Sequence, residues 1–330
     1  MDPIQNFNSI LQTFKIKAAC VGHERKDNYF YFDLRLNANA RVKDIKKYID
    51  EISLALKTPS KATVKVLHQE GVVRLEFITP CSSPLKLLDI FTNKGVPRAQ
   101  LPCLLGKTLD GTPMWMDLAE NPHMIVAGTT GSGKSTLLHN LIANLLNYND
   151  VEISLIDLKG IEFAPYEKHL RNTSVLYTYR DALAKVQEQI HVMEARYALM
   201  RKEGFKPAHF QSNILIIDEF SALIMQDKDG KFFQALCTLA QKCRAAKIYI
   251  VLATQRPSAD IINGAIKANF PARIACRVSS HVDSKVILDA SGAENLVGRG
   301  DALVRDDRHY LERFQIAYTD ADEVCSVYGV

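Results

Sequence analysis

The apolar positions of this chain change their period near residue 100, and two kinds of structure follow from the change. Before it, Tyr29–Leu36, Thr63–Leu67 and Val72–Ile78 are rich in β-branched and aromatic residues with partial alternation, which predicts strands. Between them Val42, Ile45, Ile49, Ile52 and Leu56 recur at spacings of three and four, which predicts an amphipathic helix over Val42–Leu56. After the change, Met124–Ala127, Val151–Ile156, Ser174–Tyr179, Ile214–Ile217, Ile248–Ala253 and Ile274–Val278 are short and continuously apolar, as strands covered on both faces are. Helical stripes lie between them, one formed by Leu137, Leu138, Leu141, Ile142 and Leu145, another by Leu183, Val186, Ile190, Met193, Tyr197 and Met200. The alternation predicts an α/β fold with a mostly parallel sheet wound on both faces, whose ligands bind at the carboxyl ends of the strands. Gly95, Pro97 and Pro102 mark Thr92–Pro102 as a linker. The expected division is a small α+β subdomain over 1–95 and a larger α/β domain over 96–330.

Composition adds mainly exclusions. Hydrophobic residues make up 47% and charged residues 24% of the 330, which rules out a largely disordered chain. A net charge of +4 is too small for a nucleic-acid-coating tail, so any such contact needs basic residues gathered on one surface. No run of 18 apolar residues occurs and the first residues lack the apolar core of a signal peptide, so no membrane anchor and a cytoplasmic location are expected. The seven cysteines, Cys81 among them, form no C-x-x-C pair, which argues against a zinc site or a disulfide framework.

Candidate chemistry starts at Gly128-Thr129-Thr130-Gly131-Ser132-Gly133-Lys134-Ser135-Thr136, a phosphate-binding loop between the strand HMIVA and the Leu137 helix. Its glycines let backbone N–H groups curl around phosphate, Lys134 reaches the β- and γ-phosphates of ATP, and Ser135 ligates Mg2+. Asn213–Glu219 is an apolar strand ending in two carboxylates, Asp218 for the magnesium and Glu219 to polarise an attacking water. An Asp-Glu pair in that place is also a common helix cap. The strand Ile248–Ala253 runs into Thr254-Gln255-Arg256-Pro257, where Gln255 can report on the γ-phosphate or the residues can merely build a turn around Pro257. Asp157 and Lys159 end another strand, as site residues or as a surface ion pair. Arg244, in KCRAAK, is either a solvated helix residue or an arginine supplied to a neighbouring subunit's phosphates. Arg256, Lys267, Arg273, Arg277 and Lys285 have few acids among them and fit either a phosphate-contacting surface or a solvated face; without interleaved aromatics they suit a duplex backbone better than single strands.

The blocks PHMIVAGTTGSGKST from Pro122, LIIDEFSALI from Leu215, the run from Leu239 to Asp289 holding KCRAAK, ATQRPS, IKAN and VSS, and GRGDAL from Gly298 resemble the FtsK/SpoIIIE family of DNA translocases. The resemblance extends over at least residues 85–318. It implies a RecA-like P-loop NTPase that assembles into a hexameric ring and pumps double-stranded DNA through its pore. It implies that Arg244 acts in trans, that Arg256, Lys267 and Lys285 touch DNA phosphates, and that His281 replaces a lysine and makes a weaker or pH-dependent contact. The family's KARAAGIH is KCRAAKIY here, so the turn after Arg244 lacks its glycine. The family's membrane-spanning and winged-helix regions have no counterpart in the sequence, so a motor directed by a recruiting protein, from a phage, plasmid or other mobile element, is expected. Two other motors share similar blocks: protein-export ATPases of the type VII secretion kind, and DNA-packaging or conjugation coupling ATPases.

Overall fold

The computed structural model describes residues 2–25, 29–58, 61–78, 84–90, 95–167, 172–204, 206–305 and 311–328. Cys81 and positions 92–94 of the expected linker lie outside them. The chain forms two compact units, residues 1–84 with 295–297, and residues 85–294 with 298–330.

The small unit comprises α1 (Pro3–Thr13), β1 (Ala18–Arg25), β2 (Tyr29–Leu36), α2 (Val42–Lys47), α3 (Ile49–Ala55), β3 (Thr63–Leu67) and β4 (Val72–Ile78). Its strands form an antiparallel sheet in the order β1-β2-β4-β3. Phe7 and Leu11 of α1, with Ile45, Ile49 and Ile52, join Phe32, Leu34, Leu75 and Phe77 in one core, and the Phe7 and Phe32 rings stack with centroids 4.0 Å apart. The single helix expected over Val42–Leu56 is two. Tyr48 leaves helical geometry at φ −109° and ψ 17°, and its ring stacks on Phe14 at 5.9 Å, while the isoleucines on either side still reach the core.

The large unit adds α4 (Leu87–Ile90), β5 (Pro102–Thr108), β6 (Pro113–Asp117), β7 (His123–Ala127), α5 (Lys134–Leu145), β8 (Val151–Ile156), β9 (Thr173–Leu176), α6 (Tyr179–Glu203), β10 (Ser212–Ile217), α7 (Phe220–Gln226), α8 (Lys231–Lys242), β11 (Ile248–Thr254), α9 (Gly264–Asn269), β12 (Ala272–Cys276), α10 (His281–Leu288), β13 (Asp301–Arg305), β14 (Leu311–Ile316) and α11 (Ala321–Tyr328). Its sheet runs β6-β5-β14-β13-β12-β7-β11-β10-β8-β9. The six strands from β12 to β9 are mutually parallel, and the other four pair antiparallel. The fold is therefore α/β with a mostly parallel sheet. Every residue of β7 is buried, which explains its unbroken apolar run. The strand expected over Ser174–Tyr179 stops at Leu176, because the Thr178 hydroxyl accepts from Asp181 N at 3.1 Å and caps α6. That expected over Ile274–Val278 ends at Cys276.

The strand order sets the site. The chain leaves β7 through α5 and returns at β8, so β11 and β10 fill the gap between them. The tips of β7, β11 and β10 thus stand side by side, with Thr254 opposite Ala127 and Leu252 opposite Ile217. β7 and β10 are two strand spacings apart, roughly 10 Å. The helix after β7 is buried on nearly all sides, and two of its buried polar residues, Asn140 and Asn144, tie it to neighbouring backbone. Asn144 Oδ1 accepts from Leu104 N at 2.8 Å, its amide donates to Leu104 O at 3.2 Å, and Asn140 donates to Ala317 O at 3.2 Å. Both backbone groups that Asn144 binds belong to Leu104, beside a register shift in β5 between Leu104 and Gly106, so the asparagine ties the helix to the strand at the bulge.

Candidate functional site

The loop from Gly128 to Gly133 links β7 to α5, and its shape rests on contacts that leave no room for side chains. Gly133 lies at φ 109°, and a Cβ there would stand 2.6 Å from the Gly300 backbone. A Cβ on Gly128 would stand 2.5 Å from Ser132 Oγ and 2.7 Å from Cys276 Cβ. From outside, Arg299 N donates to Gly131 O at 3.2 Å and Gly300 N to Ser132 O at 2.8 Å, while Thr129 N donates to Arg277 O at 3.0 Å. Gly133 is the N-cap of α5 and offers no capping side chain, so the first-turn amides around Lys134 and Ser135 remain available to an anion. The residues present fit a nucleotide's phosphates.

Lys134 is 3% exposed and crosses to the β10 tip, where Nζ donates to Asp218 Oδ1 at 2.5 Å and to Asp218 O at 3.0 Å. Glu219 follows at the N-cap position of α7, but its side chain makes no cap bond. Its Oε1 instead accepts from Thr254 Oγ1 at 2.7 Å and Ser221 Oγ at 2.6 Å, and Gln255 N donates to Oε2 at 3.1 Å. The carboxylate therefore faces β11, as the strand order requires. Gln255 Oε1 in turn lies 3.5 Å from the Thr130 hydroxyl of the phosphate loop. Lys134, Asp218, Glu219, Gln255 and Thr130 are thus linked through one set of contacts. Thr254, which positions Glu219, carried no signal beyond standing at the end of β11.

Asp157 is neither a surface ion pair nor part of this set. It is 1% exposed, and Oδ1 accepts from the backbone N–H groups of Lys159 and Gly160, Oδ2 from those of Ile161, Glu162 and Phe163, at 2.8 to 3.1 Å. The loop this builds brings Glu162 to α5, where His139 Nε2 lies 2.8 Å from Glu162 Oε1. Only the spacing of Glu162 five residues after Asp157 hints at this in the sequence.

Arg244 lies elsewhere. It is exposed in a short 3-10 turn, Cys243–Ala246, just before β11, whereas Gln255 follows the other end of that strand. The length of β11 alone separates the two ends by about 20 Å. Lys247 closes the turn with φ 55° and donates to Arg244 O at 3.0 Å, so a lysine takes the left-handed conformation at the position of the expected glycine. Beside it opens a cavity of about 890 Å³, lined among others by Arg98, Asp117, Glu120, Tyr197, Lys242 and Arg244.

The basic residues divide. Arg256, His281 and Lys285 are exposed, the first after β11 and the other two one turn apart on α10. Lys267 on α9 is half-buried, and its Nζ pairs with Asp289 Oδ1 at 2.7 Å. Asp289 also meets Arg273 and Arg305, and its interactions with Lys267 and Arg273 outweigh desolvation and hold its carboxyl well below the usual range. Arg273, counted above among surface cations, is 6% exposed and donates to the carbonyls of Phe270, Ile287 and Lys267. It is a structural residue.

A phosphate loop on a central parallel strand, with a carboxylate pair two strands away and a polar tip between, defines a P-loop ATPase. The chain belongs to the FtsK/SpoIIIE family, whose model matches residues 87–214. A DNA translocase FtsK of Chlamydia muridarum is 34% identical over 326 residues, covering 90% of this chain and 41% of that protein. That of Caldanaerobacter subterraneus is 33% identical, covering 92% and 45%. The chain thus spans less than half the length of these curated relatives. Among solved structures, the pCW3 conjugation coupling protein TcpA, in its monomer form with ATPgS, matches 98% of this chain and 99% of its own with a TM-score of 0.68 at 21% identity. The cytoplasmic domain of the Thermomonospora curvata type VII secretion ATPase EccC matches 75% and 35% with a TM-score of 0.64 at 24% identity. At these identities the two structures speak to the fold alone.

Proposed function

We propose that this chain is an ATP-driven translocase of double-stranded DNA that works in the cytoplasm as a ring of six copies. The observation that carries the reading is an intact ATP site in a chain 33–34% identical, over most of its length, to proteins named DNA translocases. Nucleotide phosphates would draw Lys134 away from Asp218, leaving that carboxylate and the Ser135 hydroxyl to hold magnesium. The ion, when bound, supplies positive charge against the β- and γ-phosphates. Glu219 then orients and deprotonates the attacking water, and Gln255, tied to Glu219 through its backbone and facing Thr130, senses whether the γ-phosphate is present. Arg244 is too far from its own Glu219 to serve it, and its exposed place beside a large cavity suits the site of an adjoining copy. Arg256, Lys267, His281 and Lys285 supply the DNA phosphate contacts, and a recruiting protein selects the cargo.

ATP hydrolysis measured with and without linear duplex DNA, over a range of salt, tests the proposal. DNA should stimulate turnover, and the stimulation should fall steeply as salt rises. Stimulation by a protein substrate instead of duplex DNA would favour the export alternative. Conjugative coupling and packaging share the DNA response and differ in the partner that recruits the motor.

A further inference from the structure

Glu162 has no part in the reading above, yet it is built into the phosphate site. Its backbone N–H donates to Asp157 Oδ2 at 2.8 Å, which fixes the loop, and its Oε1 lies 2.8 Å from His139 Nε2. An ionised carboxylate only accepts, so the hydrogen of that bond is on Nε2, and Tyr166 OH, 2.7 Å from Nδ1, completes the ring's contacts. His139 is 7% exposed and Tyr166 fully buried. Ser135 precedes His139 by four residues on α5, so both side chains lie on one face of the helix and one carboxylate can meet both. Bonds from His139 and from the Ser135 hydroxyl, with the charge of Lys134, outweigh desolvation and hold the Glu162 carboxyl below its ordinary range.

Resting on the proposed use of Ser135 as a magnesium ligand, we infer that Glu162 is the positioning carboxylate behind that ligand: it takes the single Ser135 hydrogen and turns the oxygen's lone pairs toward the metal. A serine hydroxyl has one hydrogen and two lone pairs. Given to Glu162, that hydrogen no longer competes for the metal-facing side, and the carboxylate adds a negative charge beside a dication. Partners of this kind behind a metal ligand orient it and raise its donor strength. Asp157, His139 and Tyr166 then serve to hold Glu162 where Ser135 can reach it.

The test is binding of a non-hydrolysable fluorescent ATP analogue to the full chain, first in EDTA and then with rising Mg2+. For Glu162→Gln the magnesium concentration at half-effect should rise about tenfold or more, with affinity in EDTA within about twofold of wild type. A purely structural role would weaken binding equally with and without the metal. A half-effect concentration unchanged within about twofold overturns the inference and leaves the ATPase reading standing. If Glu162→Gln does not fold, Glu162→Asp, which keeps the charge but withdraws it by one methylene, is judged by the same rule. A wild-type chain that binds no nucleotide, or binds it without regard to magnesium, overturns this inference together with the reading it rests on.

Discussion

Replacing Asp157 by asparagine should cost nearly as much as replacing it by alanine, although asparagine has the same shape. The reason is the direction of five hydrogen bonds. Oδ1 accepts two backbone N–H groups and Oδ2 accepts three at this 1%-exposed side chain, and of the five only Gly160 N has a second acceptor, the Asp157 carbonyl at 3.1 Å. An asparagine amide must aim its NH2 at one of the two sets. The lower-cost choice sets the NH2 against Lys159 and Gly160, both exposed enough to turn toward water, and keeps the carbonyl for Ile161, Glu162 and Phe163. With two charge-assisted bonds lost and a donor left facing donors, the expected loss is about 3 kcal/mol, against about 4 for alanine. For a unit of this size that lowers the melting temperature by about 6–12 °C. Trp115, the single tryptophan, lies in β6 of the large unit and reports its unfolding by intrinsic fluorescence in urea or on heating. An asparagine variant within about 0.5 kcal/mol of wild type would refute the reasoning, because it would mean that the carboxylate is not the organiser of the loop.

Four further outcomes are expected. Lys134→Ala should abolish nucleotide binding, while Glu219→Gln should keep binding and lose about 10²–10⁴-fold in hydrolysis, both read by nucleotide fluorescence and phosphate release. Arg244→Ala should lose about 10³-fold or more in turnover and be rescued by mixing with a Lys134→Ala subunit that retains Arg244; no rescue would count against action in trans. Arg256→Ala and Lys267→Ala should each reduce the salt slope of DNA binding by about one, and an unchanged slope would remove them from the interface. Burial lowers the His123 pKa to about 4 from 6.5, so the ring stays uncharged on folding. Its contribution is present above pH 6.5 and is lost as pH falls toward 4, by about 3 kcal/mol in all; His123→Gln should show a correspondingly flatter loss of stability over that window in urea titrations.

Where a sequence pattern answers to one local cause, it could be read directly. β2, β3, β4 and β8 run between their expected limits because apolar and β-branched runs bounded by turn residues have few other uses. α1 was open to the same reading and missed, since Asp2 followed by Pro3 is a cap signal and the Asp2 side chain does accept from Ile4 N at 3.2 Å. The joining of the hairpins β5–β6 and β13–β14 into one flank was illegible for a different reason: β14 pairs with β5 about two hundred positions away, as Phe314 with Thr108, and no local period encodes such a partner.

The site divides along the same line. Gly128–Ser135 and Asp218-Glu219 could be singled out because each is a contiguous stretch at the end of an apolar strand, the second only in the light of the first. Glu162, Thr254 and Arg299 matter only through the strand and loop that bring them to the phosphate loop, so nothing short of the fold distinguishes them from other glutamates, threonines and arginines. Arg244 is the most instructive case, since its spacing in the sequence could not decide between a solvated residue and a trans-acting one. The length of β11 excludes a third use, action on the chain's own site. A strand that begins beside Arg244 and ends at Gln255 holds the two about 20 Å apart, so neither side-chain rearrangement nor loop motion at one end can bring that arginine to its own chain's Glu219. If Arg244 acts on phosphate at all, the phosphate must belong to another copy.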